Sequence, residues 1–269
     1  MILIKYGGNA MKSEEFKQKI LQKIAQIHQR GIPVVLVHGG GPFIRSLLEK
    51  AKVPSSFKGG HRVTSKEAMR YVEMALKGEV NGDLVRMLNQ MGVRAVGLSG
   101  KDGNMVTARK YYLRQEENGQ SSKTDLGQVG EVAELDPQLI QTLLDSGYLP
   151  VVTCLASDQA GDDFNINADL FAGYLAGALK VDHYLVLTDI DGLRTDIDDP
   201  SSVVSKVTIE ELPGLIDKVA KGGMLPKLES CRIALNKGAS NAHIIDGTRV
   251  ENISTALFSE QTVGTRICL

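Results

Sequence analysis

Ile2-Leu3-Ile4-Lys5-Tyr6-Gly7-Gly8 and Val34-Val35-Leu36-Val37-His38-Gly39-Gly40-Gly41 each run a short apolar segment into a glycine-bearing polar loop. The same text recurs at Ala95-Val96-Gly97-Leu98-Ser99-Gly100, Tyr184-Leu185-Val186-Leu187-Thr188-Asp189-Ile190-Asp191-Gly192 and Ala242-His243-Ile244-Ile245-Asp246-Gly247. Apolar runs of this length bounded by turn residues read as strands buried on both faces, the kind found in parallel sheets covered by helices. Ligands of open parallel sheets bind at the carboxyl ends of the strands, so glycine loops gathered there predict one site. Glycine lets backbone N–H groups come close to phosphate oxygens, and a following helix N-terminus adds a favourable dipole. The pattern points to phosphate handling.

Composition narrows the class. With 269 residues, 42% of them hydrophobic and 23% charged, the chain can bury a sizeable core as one large domain or two lobes. Its 31 basic and 32 acidic residues leave a formal charge of −1, which gives no reason to expect a nucleic-acid or anionic-membrane partner. Cys154, Cys231 and Cys268 lie far apart without a Cys-x-x-Cys pair and read as reduced thiols. No apolar run is long enough to span a bilayer, and Met1-Ile2-Leu3-Ile4 breaks at Lys5 too soon for a signal-peptide core. A cytoplasmic protein is expected.

Along the chain, strands alternate with helices. Ser13 is placed to cap a helix whose Phe16, Ile20, Ile24 and Ile27 share one face. A second helix follows Gly41-Pro42 through Ile44, Leu47 and Leu48. Residues 53–64 read as an excursion, a hairpin that could serve as a lid, before a Thr64-to-Glu67 capping box. The helical stretch 66–92 is expected to divide at Gly78 or Asn81-Gly82. Residues 105–134, turning around Glu117-Asn118-Gly119-Gln120, predict an antiparallel ribbon on the sheet's edge. Asp136-Pro137 starts another helix, and a further strand-to-helix passage carries Asn165, Asn167 and Asp169. Beyond about 182 we expect two more strands, a Thr208-to-Glu211 capping box and a helix near 226–237. A lobe boundary is expected near 180.

Familiar nucleotide signatures are missing. The chain has no Gly-x-x-x-x-Gly-Lys-Ser/Thr, no Gly-x-Gly-x-x-Gly after a strand and no His-Arg-Asp loop, and without Gly-x-Ser-x-Gly a serine hydrolase loses support. What is present, in order, is Lys5-Tyr6-Gly7-Gly8-Asn9-Ala10, His38-Gly39-Gly40-Gly41-Pro42, Arg62-Val63-Thr64, Leu98-Ser99-Gly100-Lys101-Asp102-Gly103, Asn165-Ile166-Asn167-Ala168-Asp169, Thr188-Asp189-Ile190-Asp191-Gly192, Gly222-Gly223-Met224-Leu225-Pro226-Lys227 and Gly264-Thr265-Arg266-Ile267. Together these resemble the amino acid kinase family, and within it the branch that phosphorylates N-acetyl-L-glutamate. The resemblance implies an α/β fold, a three-layer αβα sandwich around a mainly parallel sheet. It also implies two lobes: 1–180 for the amino-acid substrate, with the lid-like excursion at 53–64, and 181–269 for ATP. Such enzymes convert a carboxylate to an acyl phosphate.

Residue by residue, the resemblance makes Lys5 and Lys227 the cations that neutralise the transferring phosphoryl group, with Asp169 holding both. Phosphoryl transfer needs alignment and electrostatic stabilisation more than covalent help. Backbone N–H groups of Gly8, Gly40 and Gly41 would cradle the migrating phosphate and the attacked carboxylate. Arg62 would grip the substrate's α-carboxylate with Asn165 beside it. Asp189, Gly192, Gly223 and Met224 are the nucleotide candidates, the methionine serving equally well as core filling. Mg²⁺ is expected to arrive with ATP, held by phosphate oxygens and water, and no dedicated metal cluster is visible in the text. A side-chain carboxyl of pKa about 4.3 is already ionised near neutrality, so no general base is required. The histidines are expected in structural roles, His38 supporting its own loop.

Two rival readings stand beside this one. His61 before Arg62, and Val152-Thr153-Cys154-Leu155-Ala156-Ser157 ahead of the Asn165-to-Asp169 segment, depart from the family's usual text and keep open a carrier-protein-linked α-aminoadipate kinase of lysine biosynthesis. The other is a non-catalytic nucleotide or amino-acid sensor on the same fold. Arginine-inhibited members of the family resemble one another in an extra helix before the first strand; here the strand starts at Ile2. Weak or absent arginine inhibition and a homodimer are therefore expected.

Overall fold

The computed structural model describes residues 1–7, 11, 13–117, 120–196, 198–219 and 223–269. Strand β1 (Ile2–Tyr6) is buried along its whole length, Lys5 included. Helix α1 (Glu14–Gln29) follows, capped by Ser13, whose hydroxyl accepts from the Phe16 amide at 3.4 Å. Ile20, Ile24 and Ile27 are buried as predicted, but Phe16 is 39% exposed and Lys17 turns inward instead. That inward lysine is tolerated because Nζ meets Asp83 at 2.5 Å and Glu14 at 2.6 Å.

Next come β2 (Val34–His38), α2 (Gly41–Lys50), and the antiparallel hairpin of β3 (Ser56–Lys58) and β4 (His61–Val63). Helix α3 (Lys66–Glu73) is capped by Ser65, which accepts from the Ala68 amide at 3.0 Å, one residue later than the expected Thr64-to-Glu67 box. Thr64 is committed elsewhere: its amide donates to Leu126 O and its carbonyl accepts from Gln128 N. Nor does the helical stretch divide. A π-wound segment, Met74–Val80, joins α3 directly to α4 (Asn81–Gln90) across Gly78. Wider winding of this kind resets helix register. Asn81 ends up buried, with Nδ2 donating at 2.9 Å to both Val151 O and His38 Nε2.

After β5 (Ala95–Ser99), strands β6 (Val106–Glu117) and β7 (Gln120–Leu135) form the predicted antiparallel ribbon, its turn lying partly outside the described residues. The chain continues through α5 (Gln138–Asp145), β8 (Leu149–Thr153), β9 (Leu155–Ser157), β10 (Asp163–Ile166), α6 (Ala168–Ala178) and β11 (His183–Thr188). It ends with β12 (Lys206–Thr208), α7 (Leu212–Val219), α8 (Met224–Asn236), β13 (Asn241–Asp246), α9 (Glu251–Phe258) and β14 (Thr265–Cys268). Strands β12 and β14 go beyond the two expected after residue 182; at three and four residues they are too short for their apolar pattern to stand out.

The central sheet has the order β12-β14-β13-β11-β1-β2-β8-β5, and β13 with β14 is its antiparallel pair. The ribbon is not on its edge, contrary to expectation: β6 and β7 close with β9 and β10 into a separate small barrel. Short β9 and β10 supply the closure, β10 pairing parallel to β7 and antiparallel to β9. Helices cover both faces of the central sheet. Ile2, Ile4 and Tyr6 join one core with α1, while Leu3 joins the other with α2, α3, α6 and α8. Since strand side chains alternate, Lys5 projects to the Leu3 side, toward α6. This is the three-layer αβα arrangement. Among the described residues no helix is long and apolar enough to cross a membrane.

Candidate active site

Strands β1, β2, β8, β5, β11 and β13 run parallel, so their carboxyl ends share one edge. Lys5 reaches the site from the carboxyl end of β1. Asp169 comes from the first turn of α6, where Asn167 caps the helix by accepting from the Asp169 and Leu170 amides at 2.9 and 3.2 Å. Lys227 comes from the first turn of α8. Helices α6 and α8 approach closely because two glycines face the contact: a Cβ on Gly173 would fall 2.4 Å from Ser230 O, and one on Gly177 2.4 Å from Lys237 Cβ. Tyr184 on β11 pins the junction, its hydroxyl 3.3 Å from Asp169 O and 3.1 Å from Ser230 Oγ.

The result is a carboxylate held between two ammonium groups. Lys5 Nζ lies 2.5 Å from Asp169 Oδ1, and Lys227 Nζ lies 3.3 Å from Oδ2. Burial alone pushes the Asp169 carboxyl up, but the charges of Lys5 and Lys227 outweigh it and hold the group below its ordinary value. Lys227 also donates to Gly223 O at 3.2 Å. With two lysines and one aspartate, the cluster carries one formal net positive charge.

Beside it opens a cavity of about 230 Å³ whose lining includes Lys5, Gly40, Gly41, Arg62, Asn165 and Asp169. Gly40 and Gly41 line this space at the start of α2, where the first N–H groups of a helix have no intrahelical partners. Arg62 is 6% exposed; Nη2 donates to Gly41 O at 3.1 Å, Nη1 contacts Ser55 Oγ, and the guanidinium lies 4.6 Å from the Phe57 ring centroid. His38 supports the glycine loop from below, as predicted. Its Nδ1 lies 2.9 Å from Gly39 O and Nε2 accepts from Asn81, which assigns the neutral Nδ1–H tautomer. Burial takes this imidazole down to about 4. Cys154 also lines the cavity, with burial pushing its thiol up to about 12, so it is present as a neutral group.

Six of the sequence-derived candidates thus meet at one cavity, and Lys227 joins them through Asp169. Gly8 lies outside the described residues. Gly223 lines an adjoining cavity of about 590 Å³ between the β3–β4 hairpin and α8. Asp189 and Gly192 follow β11 and line neither cavity. At Gly192, φ is +143° and a Cβ would come 2.8 Å from Thr265 Oγ1, so close backbone approach accounts for this glycine. Met224 is 9% exposed and packs in the core. Sequence reading missed Phe57, Gly60 and Asn167 as cavity-lining groups. Asn167 had a legible signal, two residues before Asp169 at a helix start, whereas Phe57 reaches the cavity only through the fold of the hairpin.

Glycine loops and a carboxylate-bridged lysine pair at the carboxyl edge of a helix-covered parallel sheet define an α/β phosphotransferase. The chain belongs to the amino acid kinase family, whose model matches residues 1–246. It is 42% identical over 266 residues to the acetylglutamate kinase of Desulfitobacterium hafniense, covering 98% of this chain and 89% of the relative. Identity to the acetylglutamate kinase of Methanocaldococcus jannaschii is 41% over 269 residues, covering 99% and 90%. Among solved structures, smu.665 from Streptococcus mutans UA159 superposes with a TM-score of 0.77 at 30% identity, covering 99% of this chain and 98% of that one. N-acetylglutamate synthase from Neisseria gonorrhoeae, complexed with coenzyme A and N-acetyl-glutamate, shares the fold at a TM-score of 0.83 and 22% identity; all of this chain is covered, and it spans 59% of that protein.

Proposed function

We propose that this chain is an acetylglutamate kinase, transferring the γ-phosphoryl group of ATP to the side-chain carboxylate of N-acetyl-L-glutamate in arginine biosynthesis. The observation that carries the reading is the Lys5–Asp169–Lys227 bridge at the wall of a cavity that also presents Arg62 and the Gly40–Gly41 helix start. The names of relatives at 40–42% identity favour N-acetylglutamate over carrier-linked aminoadipate and over a silent sensor.

In this reading a carboxylate oxygen forms the new bond to the γ-phosphorus as the bond to the ADP oxygen breaks. The acceptor is already ionised, so no proton moves. Lys5 and Lys227 flank the phosphoryl group and offset its charge, while Asp169 keeps both ammonium groups aimed and their field confined. Arg62 takes the α-carboxylate with Asn165 beside it, and the amides of Gly8, Gly40 and Gly41 receive phosphate and carboxylate oxygens. Residues 1–180 act as the acceptor lobe and 181–269 as the nucleotide lobe, with Asp189, Gly192, Gly223 and Met224 contributing to the nucleotide side mainly through backbone. Asp169, the carboxylate at the cavity, is taken by two lysines, and the described residues hold no cluster of three or more metal-ligating side chains. Mg²⁺ would arrive with ATP, held by nucleotide oxygens and water, and would lower the charge that the lysines must offset. A cytoplasmic homodimer completes the proposal.

The test is acyl-phosphate formation trapped with hydroxylamine, using N-acetylglutamate, glutamate, aspartate and carrier-linked aminoadipate with ATP-Mg. Product with N-acetylglutamate supports the reading; product with the carrier-linked acid alone moves the chain to lysine biosynthesis, and none from any acceptor leaves a sensor.

A further inference from the structure

His61 lines both the acceptor cavity and the adjoining 590 Å³ space. His61 directly precedes Arg62 on β4, and both residues line the acceptor cavity. Its ring lies on Tyr111 of β6, with centroids 4.6 Å apart and planes inclined by 30°. Among the described residues neither ring nitrogen has a protein hydrogen-bond partner. Burial lowers the imidazole from its ordinary value, so it is neutral at pH 7 and carries one N–H donor.

An N-acylated acidic amino acid has three polar ends. In the function proposed above, on which this inference rests, the reacting carboxylate faces Lys5 and the α-carboxylate faces Arg62. That leaves the acyl amide. We infer that His61 determines acceptor specificity by donating a hydrogen bond from its imidazole to the acyl carbonyl oxygen at the junction of the two cavities. A free amino acid offers an ammonium there, which has no lone pair to accept the bond, so the same donor selects for the acylated acid. A residue built to hydrogen-bond one substrate group discriminates against a molecule lacking it. The Tyr111 contact fixes the ring plane and thereby the donor's direction.

Two substitutions separate this role from a merely structural one. His61→Phe keeps a ring for Tyr111 but loses the donor; His61→Gln loses the ring but keeps an N–H. Acyl-hydroxamate kinetics should show the Phe variant with a KM for N-acetylglutamate raised roughly three- to tenfold, the range of a single net hydrogen bond, with kcat and the KM for ATP unchanged. The Gln variant should recover most of that loss. The inhibition constant of glutamate as a competitor should be unchanged in both. An unaltered KM in the Phe variant, or a deficit confined to the Gln variant, overturns the inference and assigns His61 to packing. No turnover by the wild-type chain overturns the functional reading itself, and the inference with it.

Discussion

Replacing Asp169 by Asn tests the electrostatic centre of the site. The two side chains are nearly the same size, so the change removes the charge and turns one of the two oxygens that face the lysines into an NH2 donor. At an effective dielectric of about 20, a unit pair at the Lys5–Asp169 distance attracts by about 7 kcal/mol and one at the Lys227–Asp169 distance by about 5 kcal/mol, before desolvation. Desolvation cancels much of this in the intact cluster. In the variant, however, two largely buried ammonium groups remain without their counter-charge, and breaking such a pair costs about 3–5 kcal/mol. Urea denaturation should therefore report a lower midpoint with an unchanged m-value. Inorganic phosphate should restore more stability to the variant than to the wild type, because an anion can occupy the place of the lost charge. The turnover number should fall by about 10²–10³ if the aspartate aims the lysines. A stability loss below about 1 kcal/mol, with no extra gain from phosphate, would refute the reasoning.

Lys227→Ala should leave the fold intact by circular dichroism yet lower acyl-hydroxamate turnover by about 10²-fold or more, since Lys227 sits at a helix start with 16% of its side chain exposed. Gly40 and Gly41 should respond differently to alanine. A Cβ on Gly40 would fall 2.7 Å from Leu76 Cδ2, whereas one on Gly41 meets nothing within 4 Å, so thermal melts should show Gly40→Ala as destabilised and Gly41→Ala as close to wild type. Gly41→Ala should nevertheless lose activity, because its methyl group enters the space where the reacting oxygens are proposed to lie. Stability should also fall in mild acid. Burial lowers His38 and His243 from 6.5 to about 4, so the unfolded chain takes up these protons first. The stabilisation is complete above about pH 6.5 and declines toward pH 4, by at most about 3 kcal/mol per histidine. Denaturation curves at pH 7 and pH 5 should show the difference, and His243→Phe should reduce it.

Local text and nonlocal pairing differ in how much of this molecule they reveal. Lys5 stands out because a charge inside Ile2–Tyr6 contradicts its apolar neighbours, and the structure gives that charge a buried partner. The strand-to-glycine segments likewise carry their own signal, through runs of buried Val, Leu and Ile and the turns that end them. The barrel could not be read in this way. A ribbon looks the same in sequence whether it lies on a sheet's edge or closes with two three- or four-residue strands supplied from 155–166. Phe16 and Lys17 show the same limit on one helix: hydrophobic spacing favours the phenylalanine, but Asp83, 66 positions away, makes the lysine the buried residue. Gly78 and Gly82 look like helix breakers, yet the Asn81 bonds to Val151 and His38 hold the helix through them. His61 illustrates the matter within the site, where its neighbour Tyr111 is 50 positions along the chain.

Strand β1 occupies the middle of the sheet, with β2 on one side and β11 on the other. During synthesis its second neighbour, His183–Thr188, is made about 177 residues later, which at roughly 5–20 residues per second is about 10–35 s. Over that interval an apolar strand has one row of backbone donors and acceptors without its native mate, the condition under which chains pair wrongly with one another. The same delay governs the site, for Lys5 cannot be neutralised until Asp169 arrives, nor Asp169 be fully engaged until Lys227 does. Slow translation or a lack of chaperones should therefore deplete the yield of this protein before it alters the activity of the molecules that finish folding.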